Sequence, residues 1–129
     1  MAITLDPREP SGYAARASVY HKAGQHDLAI ADYAKAIALD PERADWYHER
    51  GKIHQELGRY DAAITDYTKA LKLELEGDEV YFARGEAFYK KGNLAKAKAD
   101  LNNCLQDSVD TQLIGKARAL LAQIQEQSP

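Results

Sequence analysis

The stretch YHERGKIHQELGRYDAAITDYTKAL, residues 47–71, returns with variation thirty-four residues later as YFARGEAFYKKGNLAKAKADLNNCL, residues 81–105. The same spacing separates Gly24, Gly58 and Gly92. A period of this length is typical of repeat proteins, in which each unit buries its apolar face only against its neighbours. We therefore place three copies at residues 10–43, 44–77 and 78–111.

Each copy predicts two helices joined by a turn. In the second copy, Tyr47, Gly51 and His54 recur at helical spacing and share one face of the first helix. Ala63 and Tyr67 begin the corresponding stripe of the second helix. Glycine at the junction suits the left-handed residue that ends a helix. The sequence therefore predicts an all-α fold of stacked antiparallel helix hairpins, with about seven helices in total.

These residues resemble the tetratricopeptide repeat (TPR) family. Its pattern has an aromatic residue, then Leu-Gly, Tyr, Ala, Phe and a closing Pro at fixed offsets. The first copy approximates it with Tyr13, Ala17, Tyr20, Ala29 and Tyr33, and closes on Pro41; Leu75 and Val109 replace that proline in the other copies. The resemblance covers nearly the whole chain. It implies a right-handed superhelix (a TPR solenoid) whose concave face receives a peptide or helix of a partner protein.

The two ends of the chain carry further predictions. AITLDP at residues 2–7 matches AIALDP at residues 36–41, so residues 1–9 are expected to be the tail of a preceding repeat. The chain is then a fragment of a longer array, or a native chain with a degenerate start. Residues 110–127 form an amphipathic pattern that includes Leu113 and Ile124. We predict a C-terminal helix there that caps the last repeat.

An arginine returns in every copy, sixteen residues before an aspartate. Both positions lie equally far from the turn of the hairpin, so their side chains are expected at the same height. A guanidinium and a carboxylate can form two parallel hydrogen bonds. An anion-binding row and simple exposure are the alternatives. We predict three structural ion pairs: Arg16 with Asp32, Arg50 with Asp66, and Arg84 with Asp100.

The sequence offers no catalytic constellation. The net charge of -3 and the lack of a long apolar run favour neither nucleic-acid binding nor membrane insertion, and we expect a cytoplasmic protein without cofactors. Cys104 replaces an alanine of the other copies and is expected in the core. His21 and His48 are predicted to lie roughly 10 Å apart along the helix axis, so we predict no metal site. His26 and His54 are interpreted as core or boundary residues.

The family resemblance also implies which residues face the groove. The expected groove residues are Ala14, Ser18, His48, Glu49, Lys52, Phe82, Glu86 and Tyr89. Their charges and aromatic rings suit an unidentified protein or peptide segment that is neutral to basic and carries one or two apolar side chains.

One branch of the family holds acidic chaperone tails with a clamp of lysine, asparagine and arginine. Here the clamp positions contain Ala14, Ser18, Glu49, Glu79 and Ala83, so we expect no binding of such tails. The leading hypothesis is a non-catalytic interaction module or scaffold. The alternative is a self-assembly unit that forms homo-oligomers through exposed stacking faces at its ends.

Overall fold

A computed structural model describes residues 5–74 and 77–127. These residues form seven α-helices and no strand. In chain order the helices are α1 Pro10–Lys22, α2 His26–Leu39, α3 Ala44–Glu56, α4 Tyr60–Leu73, α5 Asp78–Lys91, α6 Leu94–Asp107 and α7 Thr111–Gln127. The predicted all-α fold and number of helices are confirmed. The first residues of the AITLDP match, 2–4, lie outside the described part of the chain.

Turn residues fix the ends of the helices. Gly24, Gly58 and Gly92 have φ values of +77°, +75° and +92°, which residues with a Cβ rarely adopt. Asn93 accepts a hydrogen bond from the backbone N–H of Lys96 at the start of α6. These residues end one helix and begin the next, so the chain forms short helices and not one long helix.

The helices pack as three hairpins in sequence, α1 with α2, α3 with α4 and α5 with α6, and each hairpin packs on the next. Apolar residues at each junction belong to the core of the preceding hairpin. Trp46 and Ile53 of α3 are buried in one cluster with Ala17 and Tyr33 of the first hairpin. The core is therefore a series of clusters between hairpins, as expected when no hairpin can bury its stripe alone.

Helix α7 covers the outer face of the third hairpin. Ala117 and Ile124 of α7 are fully buried in a cluster with Leu101 and Cys104 of α6. Burial raises the pKa of the Cys104 thiol to about 11. The thiol therefore stays protonated at neutral pH and packs as a small apolar side chain. Within the described residues, no helix is both long and apolar enough to span a bilayer.

Each hairpin contains an Arg–Asp contact between its two helices. The guanidinium donates from Nε and Nη2 to the two carboxylate oxygens of the aspartate in every case. The two distances are 2.6 and 2.8 Å for Arg16 and Asp32, 2.8 and 2.7 Å for Arg50 and Asp66, and 2.8 and 2.7 Å for Arg84 and Asp100. All three aspartates are buried. The hydrogen bonds to aspartate raise the pKa of Arg50 and Arg84 against the opposing effect of burial, so both remain charged.

Candidate functional site: a concave cavity between α3, α5 and α7

A cavity of about 460 Å³ opens between the first helices of the second and third hairpins and the start of α7. Its wall combines carboxylates, amides, ammonium groups and a few apolar surfaces. The lining residues are His48, Lys52, Gln55, Glu56, Tyr67, Glu79, Phe82, Ala83, Glu86, Asp110, Gln112, Leu113 and Lys116. This volume lies within the range of about 300–1,000 Å³ that is usual for ligand pockets.

Four of the residues expected in the groove line this cavity: His48, Lys52, Phe82 and Glu86. Glu49 lies close by, with its carboxylate 3.0 Å from the ammonium nitrogen of Lys52. All five belong to α3 or α5. The second and third repeats therefore supply the predicted part of the site.

The other three expected residues lie elsewhere. Ala14 is buried in the cluster that contains Trp46, so the stacked second hairpin covers it. Ser18 is on α1 and is not among the residues of the cavity wall. The hydroxyl of Tyr89 accepts a hydrogen bond of 2.7 Å from Nε2 of Gln127, which places Tyr89 beside the end of α7. The structure thus brings together a smaller set than the family positions implied.

The α7 side of the wall was missed by sequence reasoning. Gln112, Leu113 and Lys116 line the cavity, whereas the sequence predicts α7 only as a cap on the last repeat. The amphipathic stripe with Leu113 was visible in the sequence. The direction in which α7 crosses α5 was not, because it depends on how the stripe packs on the third hairpin.

A hydrogen-bond chain orients one carboxylate of the cavity. The hydroxyl of Tyr67 donates to Oε1 of Gln55 at 2.7 Å, and Nε2 of Gln55 donates to Oε1 of Glu86 at 2.9 Å. Burial, helped by the charge of Glu86, raises the pKa of Tyr67 above its usual value. The phenol therefore keeps its proton and remains the donor, which fixes the orientation of the Gln55 amide. Glu86 is consequently held as a fixed acceptor at the cavity wall.

The cavity carries an excess of negative charge. Glu56, Glu79, Glu86 and Asp110 contribute carboxylates, whereas Lys52 and Lys116 contribute the only ammonium groups among its lining residues. The ammonium group of Lys52 is already drawn toward Glu49.

His48 does not add a positive charge that would offset the carboxylates of the cavity. Burial lowers the pKa of its imidazole, and the nearby Lys52 lowers it further. The ring is therefore neutral at neutral pH. A cationic group entering the cavity meets a favourable potential, and an anionic group meets an unfavourable one.

Comparison with protein families identifies the chain. A family profile described as TPR repeat matches residues 17–58 and 51–92, and one described as Tetratricopeptide repeat matches residues 79–108. The chain belongs to the tetratricopeptide repeat family. Its fold is the right-handed helical solenoid of TPR proteins, as the sequence predicted. Among curated proteins, no sequence matches this TPR chain.

Several solved structures share the fold of this TPR chain. The first TPR of Spaghetti (RPAP3), bound to the HSP90 peptide SRMEEVD, is 24% identical with a TM-score of 0.85 over 98% of both chains. The Yersinia enterocolitica type III secretion chaperone SycD, in complex with a peptide of the translocator YopD, is 20% identical with a TM-score of 0.85 over 91% of this chain and 92% of its own.

A third similar structure is the second TPR domain of human RPAP3 in complex with the HSP70 peptide SGPTIEEVD. It is 26% identical with a TM-score of 0.78 over 90% of this chain and 98% of its own. All three therefore contain a bound peptide of another protein.

Proposed function

We propose that this TPR chain is a non-catalytic interaction module that binds a segment of a partner protein in its concave cavity. The observation that carries the proposal is the orientation of Glu86 by Gln55 in the same cavity as Phe82. An oriented carboxylate pairs well with a lysine or arginine, and a nearby aromatic ring offers apolar contact area. The preferred segment is neutral to basic and carries one or two apolar anchors.

The same electrostatics argue against acidic chaperone tails. Two of the similar structures hold peptides that end in EEVD. In this chain, Glu49 and Glu79 occupy positions where the chaperone-binding branch of the family has basic or amide side chains. A carboxylate-rich tail would meet like charge there without the clamp that offsets it.

Selection from a displayed library of random peptides tests the proposal without a known partner. Wild type should enrich peptides with lysine or arginine next to an apolar residue. Glu86→Lys should lose these peptides, whereas Glu42→Lys should retain them. Glu42 is a matched control because it is exposed, lies between α2 and α3, and gives the same change of charge.

Titration of one enriched peptide by fluorescence anisotropy then measures the site. We expect Glu86→Lys to weaken binding at least about tenfold, because it replaces an attractive contact by a repulsive one. Phe82→Ala should also weaken it. Enrichment of acidic peptides, or saturable micromolar binding of SGPTIEEVD, would contradict the proposed charge preference.

Self-association is a second candidate function, supported by the first hairpin. Val19 and Leu28 are 56% and 49% exposed there, and exposed apolar surface on a terminal hairpin can serve as a contact with a second copy. Sedimentation velocity across a range of concentrations tests it. A dimer that Val19→Lys dissociates would support self-association, and a monomer at every concentration would exclude it.

A further inference from the structure

Three potential metal ligands meet at the rim of the junction between the first two hairpins. His21 lies near the end of α1, His26 is the first residue of α2, and Glu56 is the last residue of α3. One ligand atom from each lies within 4.8 Å of the other two. The cluster joins residues from three helices and two repeats, which explains why sequence spacing alone did not reveal it.

The distances within the cluster are those of a nearly assembled site. Nε2 of His21 is 2.9 Å from Oε2 of Glu56, and Nδ1 of His26 is 3.7 Å from the same oxygen. A tetrahedral ion with bonds of about 2.1 Å separates its ligand atoms by about 3.4 Å. Since the three atoms lie within 4.8 Å of one another, rotation of the half-exposed Glu56 side chain and of the imidazoles is the change needed to bring them to one ion.

The backbone holds the two histidines at fixed positions on either side of a tight turn. The N–H of Gly24 donates to the carbonyl oxygen of His21 at 3.0 Å, and the N–H of Gln25 donates to that of Tyr20 at 2.9 Å. These bonds define the tight turn between α1 and α2. The ring centroids of His21 and His26 are 5.7 Å apart across this turn.

His26 supplies the observation that distinguishes this cluster from an ordinary ion pair. Its Nδ1 is buried and has no hydrogen-bond partner within the described part of the chain. The Glu56 oxygen at 3.7 Å is too far for a hydrogen bond. A buried polar atom without a partner is costly, and a metal ion would satisfy it.

The corresponding positions at the next junction provide an internal comparison. Gln55 and Tyr60 replace the two histidines, and Lys90 replaces the glutamate. A lysine there would repel a cation. The ligand set is therefore a property of one junction and not of the repeat fold.

We propose that His21, His26 and Glu56 form a binding site for a divalent transition-metal ion such as Zn²⁺. Two imidazole nitrogens and one carboxylate oxygen suit Zn²⁺, Co²⁺ or Ni²⁺, whereas Mg²⁺ and Ca²⁺ require mainly oxygen ligands. Three protein ligands leave a further coordination position for water or another donor. The bound ion links α1 and α2 to the end of α3, and thereby stabilises the first junction of the solenoid.

Titration of the chelator-treated full chain with Zn²⁺ and Co²⁺ near pH 7.5 tests the site. We expect one ion per chain at micromolar metal, with the visible absorption of a tetrahedral Co²⁺ complex. Zn²⁺ should displace the Co²⁺ and raise the melting temperature. Glu56→Gln and His26→Gln should each weaken binding at least about tenfold because each removes one ligand.

Two features keep the result interpretable. Glu56→Gln preserves the size of an exposed side chain, so it leaves the fold intact and circular dichroism verifies this. His54→Phe removes a histidine outside the cluster and should bind Zn²⁺ as wild type does. Absence of one-to-one uptake at micromolar metal would overturn the proposal, as would equal affinity of wild type and Glu56→Gln.

Discussion

Val19 in the first repeat and Ile53 in the second occupy the same repeat position, yet their surroundings are opposite. Val19 is 56% exposed, whereas Ile53 is completely buried against the first hairpin. Both are β-branched apolar residues of similar size. The difference teaches that burial at this position depends on the hairpin that precedes it, and not on the residue itself.

Contacts inside the hairpins do not show this difference. Arg16 and Asp32 of the first hairpin form the same two hydrogen bonds as Arg50 and Asp66 of the second. Each hairpin thus supplies its own polar contact, while part of its apolar burial comes from its neighbour. Substitutions at equivalent positions of the two repeats can separate these contributions.

Truncation at the junction should have the largest effect. Ile53→Ala is expected to lower the free energy of unfolding by about 2–5 kcal/mol, because it leaves a cavity in a closed cluster. Val19→Ala should change it by less than about 0.5 kcal/mol. Urea denaturation followed by circular dichroism measures both. Equal losses for the two variants would show that the first hairpin is covered in solution, for instance by a second copy.

The sequence predicted the elements that recur and missed those that depend on packing between elements. The spacing of Gly24, Gly58 and Gly92 was sufficient for the hairpins, because glycine fixes each turn locally. The sixteen-residue spacing was sufficient to place each arginine opposite an aspartate. These features follow from one repeat considered by itself.

The candidate site, in contrast, depends on contacts between repeats. The wall formed by Lys116 of α7 was not predictable, since it depends on the path of α7 over α5. The cluster of His21, His26 and Glu56 was not predictable from spacing, because it joins residues of α1, α2 and α3. Both cases require the stacking geometry of neighbouring hairpins.

Breaking one polar contact inside a hairpin should have the next largest effect. We expect Asp66→Ala to cost about 2–3 kcal/mol, because the guanidinium of Arg50 would remain largely buried without its partner. Asp27→Ala should cost less than about 0.5 kcal/mol, since Asp27 forms only a loose, exposed contact of 3.5 Å with Arg59. A double-mutant cycle with Arg50→Ala isolates the interaction energy. A coupling near zero would show that the pair is not structural.

Gly51 tests how closely the two helices of the second hairpin approach. A Cβ there would lie 2.7 Å from Cε1 of the buried Tyr67 ring, although the first repeat carries Ala17 at the same position. Gly51→Ala should therefore destabilise by about 1–2 kcal/mol despite the better helix propensity of alanine. Gly115→Ala is the matched control in α7. Apart from its chain neighbours and the backbone of its own helix, no atom lies within 4 Å of the added Cβ, so this change should stabilise by about 0.5–1 kcal/mol. Thermal melts compare the stability of the two variants. A higher melting temperature for Gly51→Ala than for wild type would mean that the Tyr67 ring can move away from the added Cβ.

We expect the smallest effect on stability at His54, which replaces an aromatic residue of the repeat pattern. The size of this effect depends on pH. Tyr20 and Phe88 hold the same position in the other repeats, with the guanidinium of Arg16 or Arg84 within 6.0 Å of the ring. Burial lowers the pKa of His54, so below about pH 6.5 the unfolded chain takes up a proton that the folded chain resists. Stability should therefore fall with decreasing pH in that window.

The substitution His54→Phe removes this proton uptake while keeping a ring of similar volume. At pH 8 the free energy of unfolding of this variant should be within about 1 kcal/mol of that of wild type. Its advantage in melting temperature should grow as the pH is lowered toward 5. The pKa of His48 is lowered by burial as well, so a slope should persist in the variant and become weaker when His48→Gln is added. If the melting temperatures of wild type and His54→Phe change equally between pH 8 and 5, the His54 ring is solvated in the folded state. The second repeat would then accommodate an imidazole at this position without a cost that depends on pH.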